Sequence, residues 1–318
     1  MNRPLLIAVL FLLAFPSAHS QKIERYYDFR WHDTTSLNAR FYSVMVKTDS
    51  GWYRKDYFLH SLALQMEGLY KDSACKIPSG SFRYYHPTRI PESMGVYRDG
   101  KKQGLWLSYY SNGALQDSTV YDMGSPVGIG LSWYRNGYPS DSANYNPDGS
   151  GVKVFWFDNG NPAAAGRYAA GYKKYGKWQY FYKSGSLSAI EVYDLNGTLQ
   201  DKQYTDEKGA PITDTTDKHR NAEFPGGLKA WDKYLGKALY FPDQYKFTNG
   251  DMAAVVISAT IDEEGKVVEA EVSIPFYPAF DKIALDAVRK SPNWIPAVLH
   301  NRKVRYQIRQ PIIFSQPN

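Results

Sequence analysis

The chain has one cysteine, Cys75, so no disulfide can close within it. A lone thiol without an activating neighbour in sequence reads as a small buried residue, not a nucleophile. Catalytic signatures are missing too: there is no H-E-x-x-H, no G-x-S-x-G, no P-loop and no cysteine pair. The six histidines, His19, His32, His60, His86, His219 and His300, are scattered without i,i+4 pairing or ligand spacing. Asp262, Glu263 and Glu264 are adjacent carboxylates, but they fall on an expected turn where solvated charge is the plain reading. These absences point away from an enzyme, a cofactor or a metal. Charge of one sign is also scarce. Against 32 acidic residues stand 38 basic ones, net +6, with no Lys/Arg run, which argues against a nucleic-acid partner.

Long apolar runs are limited to one, Leu5 to Phe15, shorter than the roughly 20 residues that span a bilayer. Arg3 precedes it, Pro16 breaks it, and Ala18-His19-Ser20 places small residues ahead of Gln21. That is the pattern of a secretory signal peptide over 1–20. Retained, the same segment would act as an inner-membrane anchor. A lipoprotein would need cysteine where Gln21 stands.

Aromatics, by contrast, are abundant: 16% of the chain, with 27 Tyr and 8 Trp, a composition suited to half-buried pleated faces. They recur with a period. Gly104, Gly128, Gly151 and Gly176 step by 24, 23 and 25, and Gly113, Gly137, Gly160 and Gly185 each follow nine residues later. Tyr97, Tyr121, Tyr145, Tyr168 and Tyr193 keep the same beat. Each unit reads as a β-hairpin. "LWLSYY" alternates, Asn112-Gly113 predicts a two-residue primed turn, and "ALQDSTVY" returns. A single hairpin is marginal in water, so neighbours must stack to bury the aromatics. The Trp and Tyr positions are therefore expected to be hairpin core, not a ligand cage. The array is placed at 80–209, after a β segment at 21–79 whose "ALQMEGLY" (Ala63 to Tyr70) echoes a decayed copy.

The pattern Gly104-x-Trp106-x-x-Tyr109-Tyr110-x-Asn112-Gly113 resembles the MORN repeat in its bacterial variant form. Gly130 and Lys153 depart from it at the Trp position, and Ser184 at the Asn position. The resemblance implies a stacked architecture, with a protein or lipid surface as the kind of partner such modules are proposed to bind.

A polar, turn-prone linker at 210–221 leads to a different pattern at 222–318. "GGLKAWDKYLGKAL" predicts a helix with Leu228, Trp231, Leu235 and Leu239 on one face. Strands are expected over Met252 to Asp262 and after Gly265, the latter with Val268, Ala270, Val272 and Ile274 inward. A second helix presents Phe280, Ile283, Ala284, Ala287 and Val288, and a last strand runs from Lys303 to Phe314. The fold class expected is mainly β with a small α+β domain, its helices packed on a three-stranded antiparallel sheet.

The markers Phe224-Pro225-Gly226-Gly227, Tyr240-Phe241-Pro242, Gly250, Gly265, Ala279 to Val288 and Trp294-x-Pro296 resemble, in that order, the C-terminal domain of the TonB family. The resemblance implies a periplasmic protein that binds a peptide of an outer-membrane receptor or another envelope protein by strand addition, linked to TonB-dependent transport. It places the candidate site on the last strand: Arg302, Lys303, Val304, Arg305, Tyr306, Gln307, Ile308 and Arg309. The basic residues there would either attract an acidic peptide or serve as solvated guards of an edge. A TonB protein resembles a membrane-anchored rod with a Pro-rich spacer. Here the array stands in the spacer's place, which leaves open a scaffold whose repeats are the working surface. In that reading the last domain is a cap or a homodimerisation element.

Overall fold

The computed structural model describes residues 21–216, 218–247 and 253–316. The segment read as a signal peptide lies outside them, as do Gly250 and Met252. Strand formers and turn residues alternate from Lys22 to Ile212, and the backbone follows. A 17-stranded antiparallel sheet runs from β1 (Lys22–Tyr27) to β17 (Pro211–Ile212). Consecutive strands pair in order, except that β9 (Ser125–Pro126) and β10 (Gly128–Trp133) lie in line and both pair with β8 (Leu115–Asp122), so the sheet is a meander.

The repeat motif acquires physical causes here. Of the pair Asn112-Gly113, only Gly113 takes positive φ, 85°. Its N–H donates to the Tyr110 carbonyl at 2.8 Å, and the Tyr110 N–H donates to Ala114 at 2.9 Å. The turn is therefore a type I turn closed by a glycine bulge, not the two-residue primed turn expected from the dipeptide. Asn112 need not go left-handed, because its Oδ1 accepts the Ala114 N–H at 3.1 Å from an ordinary turn position.

Other motif residues tie one repeat to the next. The Tyr110, Tyr134 and Tyr182 hydroxyls donate to the carbonyls of Trp133, Trp156 and Thr205 at 2.8, 2.7 and 2.8 Å. Asn136 and Asn159 donate to the carbonyls of Asp158 and Lys183. Trp106 and Trp178 are buried, and their indole N–H groups donate to the carbonyls of Val96 and Arg167. Each ring lies flat on a glycine of the preceding strand. A Cβ at Gly166 would stand 2.1 Å from a Trp178 ring atom.

The C-terminal domain comprises α1 (Gly227–Ala238), β18 (Ala253–Ile261), β19 (Val267–Ile274) and α2 (Pro278–Arg289). A short hairpin of β20 (Ala297–Leu299) and β21 (Arg302–Val304) follows, and then β22 (Tyr306–Phe314). The order β19–β18–β22 makes a three-stranded antiparallel sheet. On α2 all five expected residues are buried. On α1, Trp231 is buried but Leu228 is 81% exposed. Its place on the core face is taken by Tyr234, which packs with Phe224, Trp231 and Trp294 in an aromatic cluster.

β18 is buried along nearly its whole length, as a central strand covered on both faces should be. Helices cover one face, where Val255, Ile257 and Ile261 join Phe280, Ala284 and Val288. The repeat array covers the other. Phe41, Phe58 and Ala63 of the array pack with Val256 and Ile274. Ile274 was expected to share a face with Ala270. Register shifts between β18 and β19 break the alternation, and Ile274 turns to the array.

Candidate functional site

Sheet order leaves β22 at an edge, paired along nine residues with β18 and, among the described residues, with no other strand. Which backbone groups face outward follows from the far side of β18. The Ala254 carbonyl accepts from Arg40 Nε at 3.4 Å and the Val256 carbonyl from Ser273 Oγ at 3.1 Å. Both therefore point away from β22. Their cross-strand partners are Ile313 and Pro311, and Pro311 has no N–H to give. Since inward and outward groups alternate along an antiparallel strand, Gln307, Arg309, Pro311 and Ile313 turn their backbone to the free edge. That edge offers the N–H groups of Gln307, Arg309 and Ile313 and the carbonyls of all four. Beside its C-terminal half lies a cavity of about 420 Å³ lined by Leu235, Leu239, Tyr240, Phe241, Pro311 and Ile313.

The eight residues singled out from sequence do not form one continuous edge. The strand breaks at Arg305. Arg302, Lys303 and Val304 pair with Leu299, Val298 and Ala297 in the β20–β21 hairpin, while Tyr306, Gln307, Ile308 and Arg309 belong to β22. Arg305 causes the break by reaching into the array. Its Nη1 meets Asp158 Oδ2 at 2.5 Å, its Nη2 meets Glu269 Oε1 at 3.1 Å, and the guanidinium sits 5.4 Å from the Tyr134 ring centre. Arg302 packs over Phe157 and Tyr180. Neither arginine is a solvated guard. Lys303, Gln307 and Arg309 are exposed, Tyr306 is half-buried, and Ile308 is in the core.

Sequence reasoning missed a ladder of docking contacts. The residue after the turn aromatic varies from repeat to repeat: Ser111, Arg135, Asp158, Lys183. Each contacts the C-terminal domain. Ser111 Oγ donates to Glu271, and Arg135 Nη2 meets Glu271 Oε2 at 2.9 Å. Asp158 holds Arg305, and Lys183 Nζ meets Glu263 Oε2 at 3.1 Å and Asp158 Oδ1 at 2.9 Å. Glu263, expected on a solvated turn, is 5% exposed. Asp262 takes the turn's N–H groups instead, from Glu264 and Lys266, and frees Glu263 to point at the array. The spacing of the variable position, equal to the repeat period, was the signal available in sequence.

Beyond this ladder His300 stacks on Tyr180, 3.8 Å between ring centres, and its Nδ1 lies 2.8 Å from Glu191 Oε1. Burial would raise the Glu191 carboxyl, but hydrogen bonds from His300 and Tyr193 outweigh it and hold it down to about 2. Burial pushes the His300 imidazole below its ordinary value, with Glu191 opposing only in part. Burial lowers the Lys183 ammonium, yet Asp158 and Glu263 reverse that and raise it.

Among the described residues no three His, Cys, Asp or Glu side chains are grouped to hold a metal, and no helix is long and apolar enough to cross a membrane. No curated protein matches the chain. Residues 238–315 match the family model described as Gram-negative bacterial TonB protein C-terminal. The match begins at the last residue of α1, so the Phe224 to Gly227 markers precede it. The edge strand β22, the three-stranded sheet and the second helix all lie within the matched residues, so this part of the chain is similar to the C-terminal domain of TonB proteins.

Proposed function

We propose that this protein works in the periplasm as a TonB-like receptor-binding protein, taking an extended peptide of an outer-membrane receptor onto the free edge of β22. The observation that carries this reading is the edge itself: donors and acceptors aligned on one side, next to a cavity of mixed lining, Leu235, Leu239 and Phe241 with Asp232 and Ser315, that could receive side chains of an added strand. The array closes the opposite face of the sheet and leaves this edge uncovered. Residues 1–20, outside the described residues, supply the export signal in this proposal, and a retained segment would instead tie the protein to the inner membrane. A link to TonB-dependent transport follows from the partner class.

The test is a calorimetric titration of the full chain with TonB-box peptides, comparing Arg309→Ala with Arg309→Pro. Both remove the same charge, but only proline removes an outward N–H while leaving the β18 ladder intact. Binding is expected to survive the alanine and to weaken at least about tenfold with proline, the loss of one buried hydrogen bond plus its unmet partner. No binding by the wild type, or equal affinities for the two variants, would refute strand addition.

A second reading, in which the array itself is the binding surface, draws support from exposed apolar residues on neighbouring strands. Leu105 and Val120 face each other across one pair, with Ile129 and Val152 further along. Serine at Leu105 and Ile129 would abolish envelope-protein capture under that reading and leave it unchanged under the first.

A further inference from the structure

Where the aromatic side of the array meets the β20–β21 hairpin there is a cavity of about 400 Å³. Phe157, Trp178 and Tyr180 wall it from the array, and Glu263 and Arg302 reach it from the C-terminal domain. Leu299, on its rim, is 41% exposed. The Arg302 guanidinium lies 5.3 Å from the Phe157 ring centre and 5.8 Å from that of Tyr180.

The charges around this cavity are unevenly matched. Lys153, Lys174, Lys183 and Arg305 each have a carboxylate within 4.0 Å. The Arg302 side chain makes no ion pair or hydrogen bond among the described residues, and its Nε is buried without a partner. Burial pulls its pKa down to about 10, with Tyr180, Tyr134 and Glu263 countering only in part. Glu263 is satisfied on one oxygen alone: Oε2 holds Lys183, while Oε1 is buried and unpartnered.

A half-buried guanidinium with no carboxylate in contact is costly to hold, and buried donors and acceptors such as its Nε are normally met. One open donor and one open acceptor in a single cavity specify the polarity of an occupant. It brings an anion for the guanidinium and an N–H for the carboxylate, and the aromatic walls call for an apolar body between them. We propose that this cavity binds an N-acylated α-amino carboxylate with an apolar side chain, Arg302 taking the carboxylate and Glu263 Oε1 the amide N–H. The planar guanidinium fork suits a carboxylate better than a point charge would. A free N-acylated amino acid and the C-terminal residue of a peptide share this chemistry. Because walls and polar groups come from different domains, the site exists only while the array and the C-terminal domain are docked. It lies on β21 and not on the free edge of β22, so it stands or falls apart from strand addition.

Trp178 in the wall makes occupancy measurable by fluorescence. The full chain is titrated with N-acetyl-L-phenylalanine and with acetyl-Ala-Ala-Phe, each as the free acid and as the amide. Saturable binding of the acids is expected, with the amides weaker by at least about tenfold, the scale of one charged hydrogen-bond pair. Equal affinity for the two acids assigns the site to a free acylated amino acid, and tighter binding of the peptide assigns it to a protein C-terminus. Arg302→Gln is expected to erase the preference for acid over amide while the ligand-free Tm holds or rises, since a half-buried charge with no ion-pair partner is gone. A clear fall in ligand-free Tm would make Arg302 a structural residue and overturn the proposal. Absence of saturable binding at millimolar acid, or equal binding of acid and amide by the wild type, would overturn it without any variant.

Discussion

Among the contacts that dock the C-terminal domain on the array, the Arg305–Asp158 pair is the one whose removal is informative in both directions. Arg305 is 17% exposed in its side chain and Asp158 25%, so the pair is neither fully buried nor a surface bridge. A surface pair contributes about 0–1 kcal/mol, and breaking a buried one costs about 3–5 kcal/mol. Two relief routes lower the upper figure. Without Arg305, Asp158 keeps Lys183 at 2.9 Å, and Glu269 keeps the Thr260 hydroxyl at 3.1 Å. Arg305→Ala is therefore expected to cost about 2 kcal/mol, part of it from packing lost over Tyr134. In a double-mutant cycle with Asp158→Ala, the coupling energy should be about 1 kcal/mol. Urea denaturation of the four proteins, followed by tryptophan fluorescence and far-UV circular dichroism, measures it. The wild type should unfold with both domains in one transition, and Arg305→Ala should begin to separate them. A coupling energy near zero, with unchanged cooperativity, would refute the reasoning that the turn ladder holds the domains together.

Further outcomes follow from the same contacts. Gly166→Ala should destabilise by about 1–3 kcal/mol, because its Cβ meets the Trp178 ring. Gly236→Ala, in α1 with nothing within 4 Å of the added methyl, should stabilise by about 0.5–1 kcal/mol; thermal melts of the pair check both signs. His300, facing Glu191, Tyr180, Lys174 and His219, has a folded pKa below its ordinary 6.5. As pH falls through that value the unfolded chain takes up a proton that the native imidazole refuses, so stability should decline on acidification from pH 7. Glu191, held to about 2, keeps its contribution until far lower pH. His300→Gln should flatten the slope of stability against pH in urea titrations, and an unchanged slope would assign it to other groups.

Much of the fold was legible because hydrophobic period decides it. The α2 face read from spacing is the buried face, and the repeat period marks the hairpins. The exceptions are tertiary. Leu228 fits the helical stripe, but Tyr234 fills the aromatic cluster, and periodicity does not rank a leucine against a tyrosine. Asn112-Gly113 has the composition of a primed turn, yet the side chain of Asn112 stabilises a wider one. The candidate strand was read through Arg305 because alternation continues there; what breaks it is an aspartate 147 residues earlier. Glu263 looked like a solvated turn residue for the same reason, its partner Lys183 lying in another domain. The docking ladder was visible only as variation inside a regular repeat, at positions where a search for the repeat discards information.

Strand addition at β22 is tested most directly by amide hydrogen exchange on the full chain, with and without a TonB-box peptide. The amides of Gln307, Arg309 and Ile313 point to the free edge, and those of Ile308, Gln310 and Ile312 are committed to β18. Peptide addition is predicted to slow exchange at the first three while the second three, already protected, change little. Peptide binding that leaves Gln307, Arg309 and Ile313 exchanging at their free rates would contradict the central claim.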